Sequence, residues 1–172
     1  MNLESEILKE HSKRQTLKIA RWVGSDRKRF AELMELFLRG EHRVTQRAAW
    51  IVSHCADAHP KLIDPWLRPM LKKMREPGVH DAVPRNVVHI LQFVEIPRAL
   101  MGEIAADCFG FLNDVHTPIA VKAFSMTVLA RIAEREPGLK QELELVIRQL
   151  LPYGGGAIQA RGKQVLRELN KI

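Results

Sequence analysis

Gln46-Arg47-Ala48-Ala49-Trp50-Ile51-Val52 is the stretch on which the reading of this chain turns, because versions of it return at a fixed interval. The same opening, a basic residue leading into an apolar helix, is seen in Pro84-Arg85-Asn86-Val87-Val88-His89-Ile90-Leu91. It is seen again in Val121-Lys122-Ala123-Phe124-Ser125-Met126 and in Ala160-Arg161-Gly162-Lys163-Gln164-Val165-Leu166. The basic residues stand at 47, 85, 122 and 161, so the steps are 38, 37 and 39, and a fainter copy around Arg14 lies 33 residues before Arg47. A period of this size predicts stacked helical repeats, in which one hairpin cannot bury its apolar face alone and neighbours must stack upon it.

Along the chain the apolar residues recur at three and four rather than at two, which predicts helices throughout and no strand. Asn2, Ser12 and Asp26 are placed to cap the first three helices, and Gly40 to end the third. The 43–58 helix follows. Asp64-Pro65 and Thr117-Pro118 read as caps followed by proline at the first helical position. Pro69 then falls inside its helix and predicts a kink or a broken first turn. Helices are expected near 82–95, 97–112 and 118–136. Pro137-Gly138 opens another, which ends at Leu151, and the last covers about 157–170. The 172 residues are read as one domain, residues 1–172, all-α, an α-α superhelix of four to five stacked hairpins.

Composition agrees with this. Apolar residues are 46% of the chain and charged residues 27%, ordinary values for a folded protein. Aromatics are only 6%, so the interior must be built from aliphatic side chains and methionine. No apolar run approaches the about 20 residues that span a bilayer, and the acidic start Met1-Asn2-Leu3-Glu4-Ser5-Glu6 is no secretory signal. A cytoplasmic location without membrane contact is therefore expected. Cys55 and Cys108 lie in apolar stretches and read as buried thiols.

The net charge is +7 and uneven: residues 1–75 carry the whole excess, and residues 76–172 balance. Such asymmetry marks either a surface for an acidic partner or nucleic acid, or a solvated face.

The repeats resemble HEAT-like repeats of the armadillo-type class, best in Thr45-Gln46-Arg47-Ala48-Ala49 and Ala120-Val121-Lys122-Ala123. The resemblance implies that Arg47, Arg85, Lys122 and Arg161 form a ladder tying neighbouring repeats. It also implies a non-enzymatic scaffold that presents its second helices to a partner. A more distant resemblance is to AlkD-like alkylpurine DNA glycosylases, also HEAT-like, basic and compact. That family holds duplex DNA in its groove with Trp and Asp near the lesion, and Trp50, Asp57 and Trp66 are the comparable residues here. The chain is short for that family, and its catalytic positions find no residue-by-residue match.

No phosphate loop, nucleophile elbow or paired metal ligands occur, so neither catalytic nor metal residues nor a cofactor are expected. Gly154-Gly155-Gly156 reads as a flexible connection. On the 43–58 helix, Arg47, Trp50, His54 and Asp57 are spaced by 3, 4 and 3 and share a face. Arg14, Lys18 and Arg21 occupy the equivalent face of the preceding copy, and Arg85 and His89 that of the following one. These eight residues without Asp57 are the expected partner-binding set. The expected partner is a protein or peptide, and the basic first half favours an acidic one. Nucleic acid is the alternative, since cations neutralise phosphates and a tryptophan stacks on a base. Oligomeric state is left open.

Overall fold

The structure, a computed structural model, describes all 172 residues. It holds ten α-helices and two short 3₁₀ segments, with no strand. The chain forms two compact units, Met1–Glu95 and Ile96–Ile172.

The first unit contains α1 (Leu3–Lys9), α2 (Lys13–Val23), α3 (Arg27–Arg39), α4 (His42–Ala58), α5 (Leu67–Met74) and α6 (Ala82–Leu91). They make three hairpins, α1/α2, α3/α4 and α5/α6. The second helices form a row in which α4 packs against α2 on one side and α6 on the other. The second unit contains α7 (Arg98–Asn113), α8 (Ile119–Arg135), α9 (Lys140–Leu150) and α10 (Gly156–Leu169), as hairpins α7/α8 and α9/α10, with α8 packed on α10. Each basic-start helix of the sequence pattern is thus the second member of its hairpin.

The caps form where the side chains allow them. The Asn2 side chain accepts from the Ser5 amide, Ser12 from Gln15, and Asp26 from both Lys28 and Arg29. Each satisfies an amide that has no partner within its helix. Gly40 ends α3 with φ −66°, an angle open to any residue, so left-handed geometry is not its purpose. Space is: a Cβ there would run into the Leu36 carbonyl oxygen and the Val44 side chain.

The prolines correct three boundaries. Asp64 does not cap a helix; it lies inside the 3₁₀ segment Pro60–Trp66, and α5 starts after it at Leu67. Pro69 is the third residue of α5, where an amide lacks an intrahelical partner in any case, so α5 absorbs it in its first turn. At Thr117-Pro118 it is Pro118 that stands at the cap position, with no side-chain cap bond, and α8 begins at Ile119. Pro137–Leu139 form a 3₁₀ turn before α9. α6 is also shorter than the pattern predicts; it ends at Leu91, and Gln92, Phe93 and Val94 continue as turns bonded to His89 and Ile90.

The cores are aliphatic, as the scarcity of aromatics requires. Ile19, Leu33, Met34, Ala48, Ile63 and Val88 fill the first unit, and Ile104, Met126, Leu129, Leu143 and Ile147 the second. Both cysteines are buried free thiols, and desolvation pushes each up to about 12, far from thiolate chemistry at neutral pH.

The short helix α1 buries Leu3 and Ile7 and is also tied to α2 through Glu6. Lys18 Nζ donates to Glu6 Oε2 at 2.9 Å, and Gln15 Nε2 donates to the same oxygen at 2.9 Å and to the Glu6 carbonyl at 2.8 Å. These donors, Lys18 first, lower the Glu6 carboxyl from 4.5 to about 2. A carboxyl depressed in the folded state stabilises that state above its unfolded value and loses the effect as pH falls through the folded one. Between pH 4.5 and about 2, amide protection in α1, referred to the unprotected rate at each pH, is therefore expected to fall ahead of that in the rest of the unit. Uniform protection of α1 and α4 across that range would contradict it.

Candidate interaction surface

The candidate residues gather on the row formed by α2, α4 and α6. Trp50 on α4 is half-buried and sits between two imidazoles. The His11 ring, from the link between α1 and α2, meets it edge-on at 5.8 Å, and the His54 ring lies at 5.7 Å with a 48° tilt. One turn further, Asp57 Oδ1 lies 3.0 Å from His89 Nε2 on α6. The His89 ring meets Phe93 edge-on at 5.5 Å, and Gln92 packs beside it, donating to the His89 carbonyl at 3.2 Å. A strip of aromatic and imidazole side chains thus crosses from the α1–α2 link, along α4, to the end of α6.

His54 is held below its ordinary pKa, first by desolvation, then by the Lys13 and His89 charges, with Asp57 pulling the other way. Its imidazole is neutral at pH 7, so the centre of the strip is nearly uncharged.

The arginines divide by role. Arg47 is half-buried, and its Nη1 donates to the carbonyls of Leu8 at 2.9 Å and Ile7 at 3.2 Å. It satisfies the last turn of α1, where a cation also opposes the helix dipole. Arg161 also reaches back in the second unit, to the body of α8: Nη1 donates to Thr127 Oγ1 at 2.6 Å and to the Ala123 carbonyl at 3.4 Å. Arg135 donates to the Ile96 carbonyl at 3.2 Å. Donor and backbone acceptor are 38 to 40 residues apart in all three, which is one repeat. These ladder bonds are made to backbone carbonyls and a hydroxyl. Arg85 departs from the ladder; its side chain is exposed on α6.

On α2, Arg14 pairs with Glu10 at 3.1 Å and Lys18 with Glu6 at 2.9 Å, and Arg21 is exposed. Two of the three cations expected to offer charge to a ligand are thus already matched by carboxylates. Trp66 is not brought to Trp50 and Asp57; it lines a cleft beside α3. No group of three or more His, Cys, Asp or Glu side chains is arranged to hold a metal ion. No helix is long and apolar enough to cross a membrane.

Two further site residues differ in how far the sequence could show them. His11 lies outside every repeat copy, so no spacing joins it to Trp50, whereas Phe93 stands four residues after His89, a helical interval that could have found it.

The repeat period, the paired helices and the arginines reaching back one repeat agree with the comparison to known families. A HEAT repeat domain profile matches residues 3–169. This chain belongs to the HEAT repeat family. No curated protein and no solved structure matches it significantly. Family membership supports a repeat scaffold for protein interaction in general terms, and this HEAT repeat chain adds its own surface to that frame.

Proposed function

We propose that this HEAT repeat protein is a non-catalytic scaffold that holds a protein or peptide partner along its α2, α4 and α6 row. The observation that carries the reading is the strip of His11, Trp50, His54, Asp57, His89 and Phe93 across three packed elements. A near-neutral aromatic centre rimmed by exposed Arg14, Lys18, Arg21 and Arg85 has the make-up of a protein-binding patch, where aromatic anchors supply energy and rim charges supply steering. An acidic segment fits the rim. The pairing of Arg14 and Lys18 with Glu10 and Glu6 leaves Arg21 and Arg85 for a ligand, enough for a short acidic segment and too few for a run of phosphates.

The test is retention of a partner from nuclease-treated extract on the immobilised full chain. The variant Lys18→Glu/Arg21→Glu/Trp50→Ala is expected to lose it, and Arg148→Glu on α9 to keep it. Equal retention by both variants would overturn the assignment of the face. Saturable binding of duplex or single-stranded oligonucleotide at low salt, with affinity falling steeply as salt rises, would replace it with the nucleic-acid reading.

A further inference from the structure

A second site lies away from that row, in a cleft of about 440 Å³ lined by Arg27, Phe30, Lys61, Leu62, Pro65 and Trp66, with Asp64 beside them. The 3₁₀ segment Pro60–Trp66 lies against α3 and makes the wall. Phe30 and Leu62 are buried at its floor, and Trp66 is half-buried.

The cations around it are not explained by the fold. Arg27-Lys28-Arg29 open α3, where the helix dipole disfavours positive charge. Arg29 is accounted for: its guanidinium lies 4.7 Å over the Trp22 ring, donates to the Trp22 carbonyl at 2.7 Å and approaches Asp26 at 3.8 Å. Arg27 and Lys61 make no ion pair and no side-chain hydrogen bond, and both are exposed. Residues that break a local rule without structural compensation point to a ligand.

From this we infer that the cleft is a docking site for a peptide segment in which one bulky apolar side chain is flanked by carboxylates. The apolar side chain enters between Leu62, Pro65 and Trp66, over Phe30, and the carboxylates meet Arg27 and Lys61. The volume is that of a site for a small ligand or a single anchoring residue, far below what a folded domain or a duplex needs. A phosphate-bearing nucleotide fits less well. The Lys28 and Arg29 amides that would cradle a phosphate at the start of α3 are already bonded to Asp26. Because Arg27 and Lys61 face water, their attraction steers and is screened by salt, while the apolar anchor gives selectivity.

The probe is a fluorescein-labelled hexapeptide of one phenylalanine among aspartates and glutamates, titrated against the full chain by anisotropy and by amide NMR. Expected are shifts confined to residues 26–30 and 61–67, and binding weakened about tenfold or more when serine replaces the phenylalanine. Arg27→Glu/Lys61→Glu, at two exposed sites and expected to leave the circular dichroism spectrum unchanged, is expected to weaken it as much, as is raising salt to about 0.3 M. Absent shifts, equal binding of the serine peptide, or binding of adenosine monophosphate in place of the peptide would overturn the inference. Shifts confined to α2, α4 and α6 would also overturn it while leaving the scaffold reading intact. Loss of partner binding on that row with the cleft shifts preserved would do the reverse.

Discussion

Gly162→Leu is expected to lower the stability of the second unit by about 3 kcal/mol or more, the upper end of overpacking costs. Gly162 is buried on α10 where it meets α9. A Cβ at this position would already stand 2.9 Å from Leu151 Cδ2 and 3.1 Å from Ile147 Cγ2. Alanine is tolerable there, because the touching atoms are ends of side chains that can turn, and alanine regains about 1 kcal/mol of helix propensity over glycine. A branched leucine has no such route, since turning Leu151 far enough to admit it opens the packing against α9. Chemical denaturation followed by circular dichroism measures both. An unchanged midpoint for Gly162→Leu would show that α9 and α10 are not in close contact at this point.

Phe37→Ala is expected to cost the first unit about 3–5 kcal/mol, the range for emptying a buried aromatic site. Phe37 lies on α3 with 1% of its surface exposed, among the largest fully buried side chains of the chain. The loss is a large part of the about 5–15 kcal/mol that holds an ordinary domain together. Trp22, Trp50 and Trp66 all lie within Met1–Glu95, so tryptophan fluorescence reads this unit specifically. Arg21→Ala, an exposed change on α2, is the control and is expected to stay within about 0.5 kcal/mol. A Phe37→Ala midpoint equal to that control would place Phe37 outside the core.

The contrast between these positions shows what a sequence can declare. Phe37 is legible, because Phe30, Leu33, Met34 and Phe37 fall on one helical stripe, and that stripe is the buried one. Gly162 is not; inside a basic-start helix it reads as a weakness, and only the approach of α9 explains it. The arginines lie between these cases. The recurrence of a basic residue is plain from Arg47, Arg85, Lys122 and Arg161, and the ladder implied by the family resemblance is made by Arg47 and Arg161, each reaching back one repeat. That Arg85 stands outside the ladder, and that Arg135 joins it, is not written in the period. It depends on which backbone carbonyls of a neighbouring element come within reach of a guanidinium.

The site divides in the same way. Arg47, Trp50, His54 and Asp57 share a face because 3 and 4 are the intervals of a helix. His11 against Trp50, and Asp57 against His89, arise from elements packed side by side. The cleft of Arg27, Lys61 and Trp66 arises where a proline-bearing 3₁₀ segment lies against α3, although its residues read as a cap and an α-helix start.

By itself, then, the sequence determined the helical repeat, the aliphatic cores, the three side-chain caps and the shared face on α4. All of these follow from intervals of a few residues or from one constant period. Tertiary structure decided which cations are already matched, which glycine is a point of contact, and which rings meet. Those outcomes rest on distances between segments tens of residues apart, and such distances are set by how helices pack and not by any spacing along the chain.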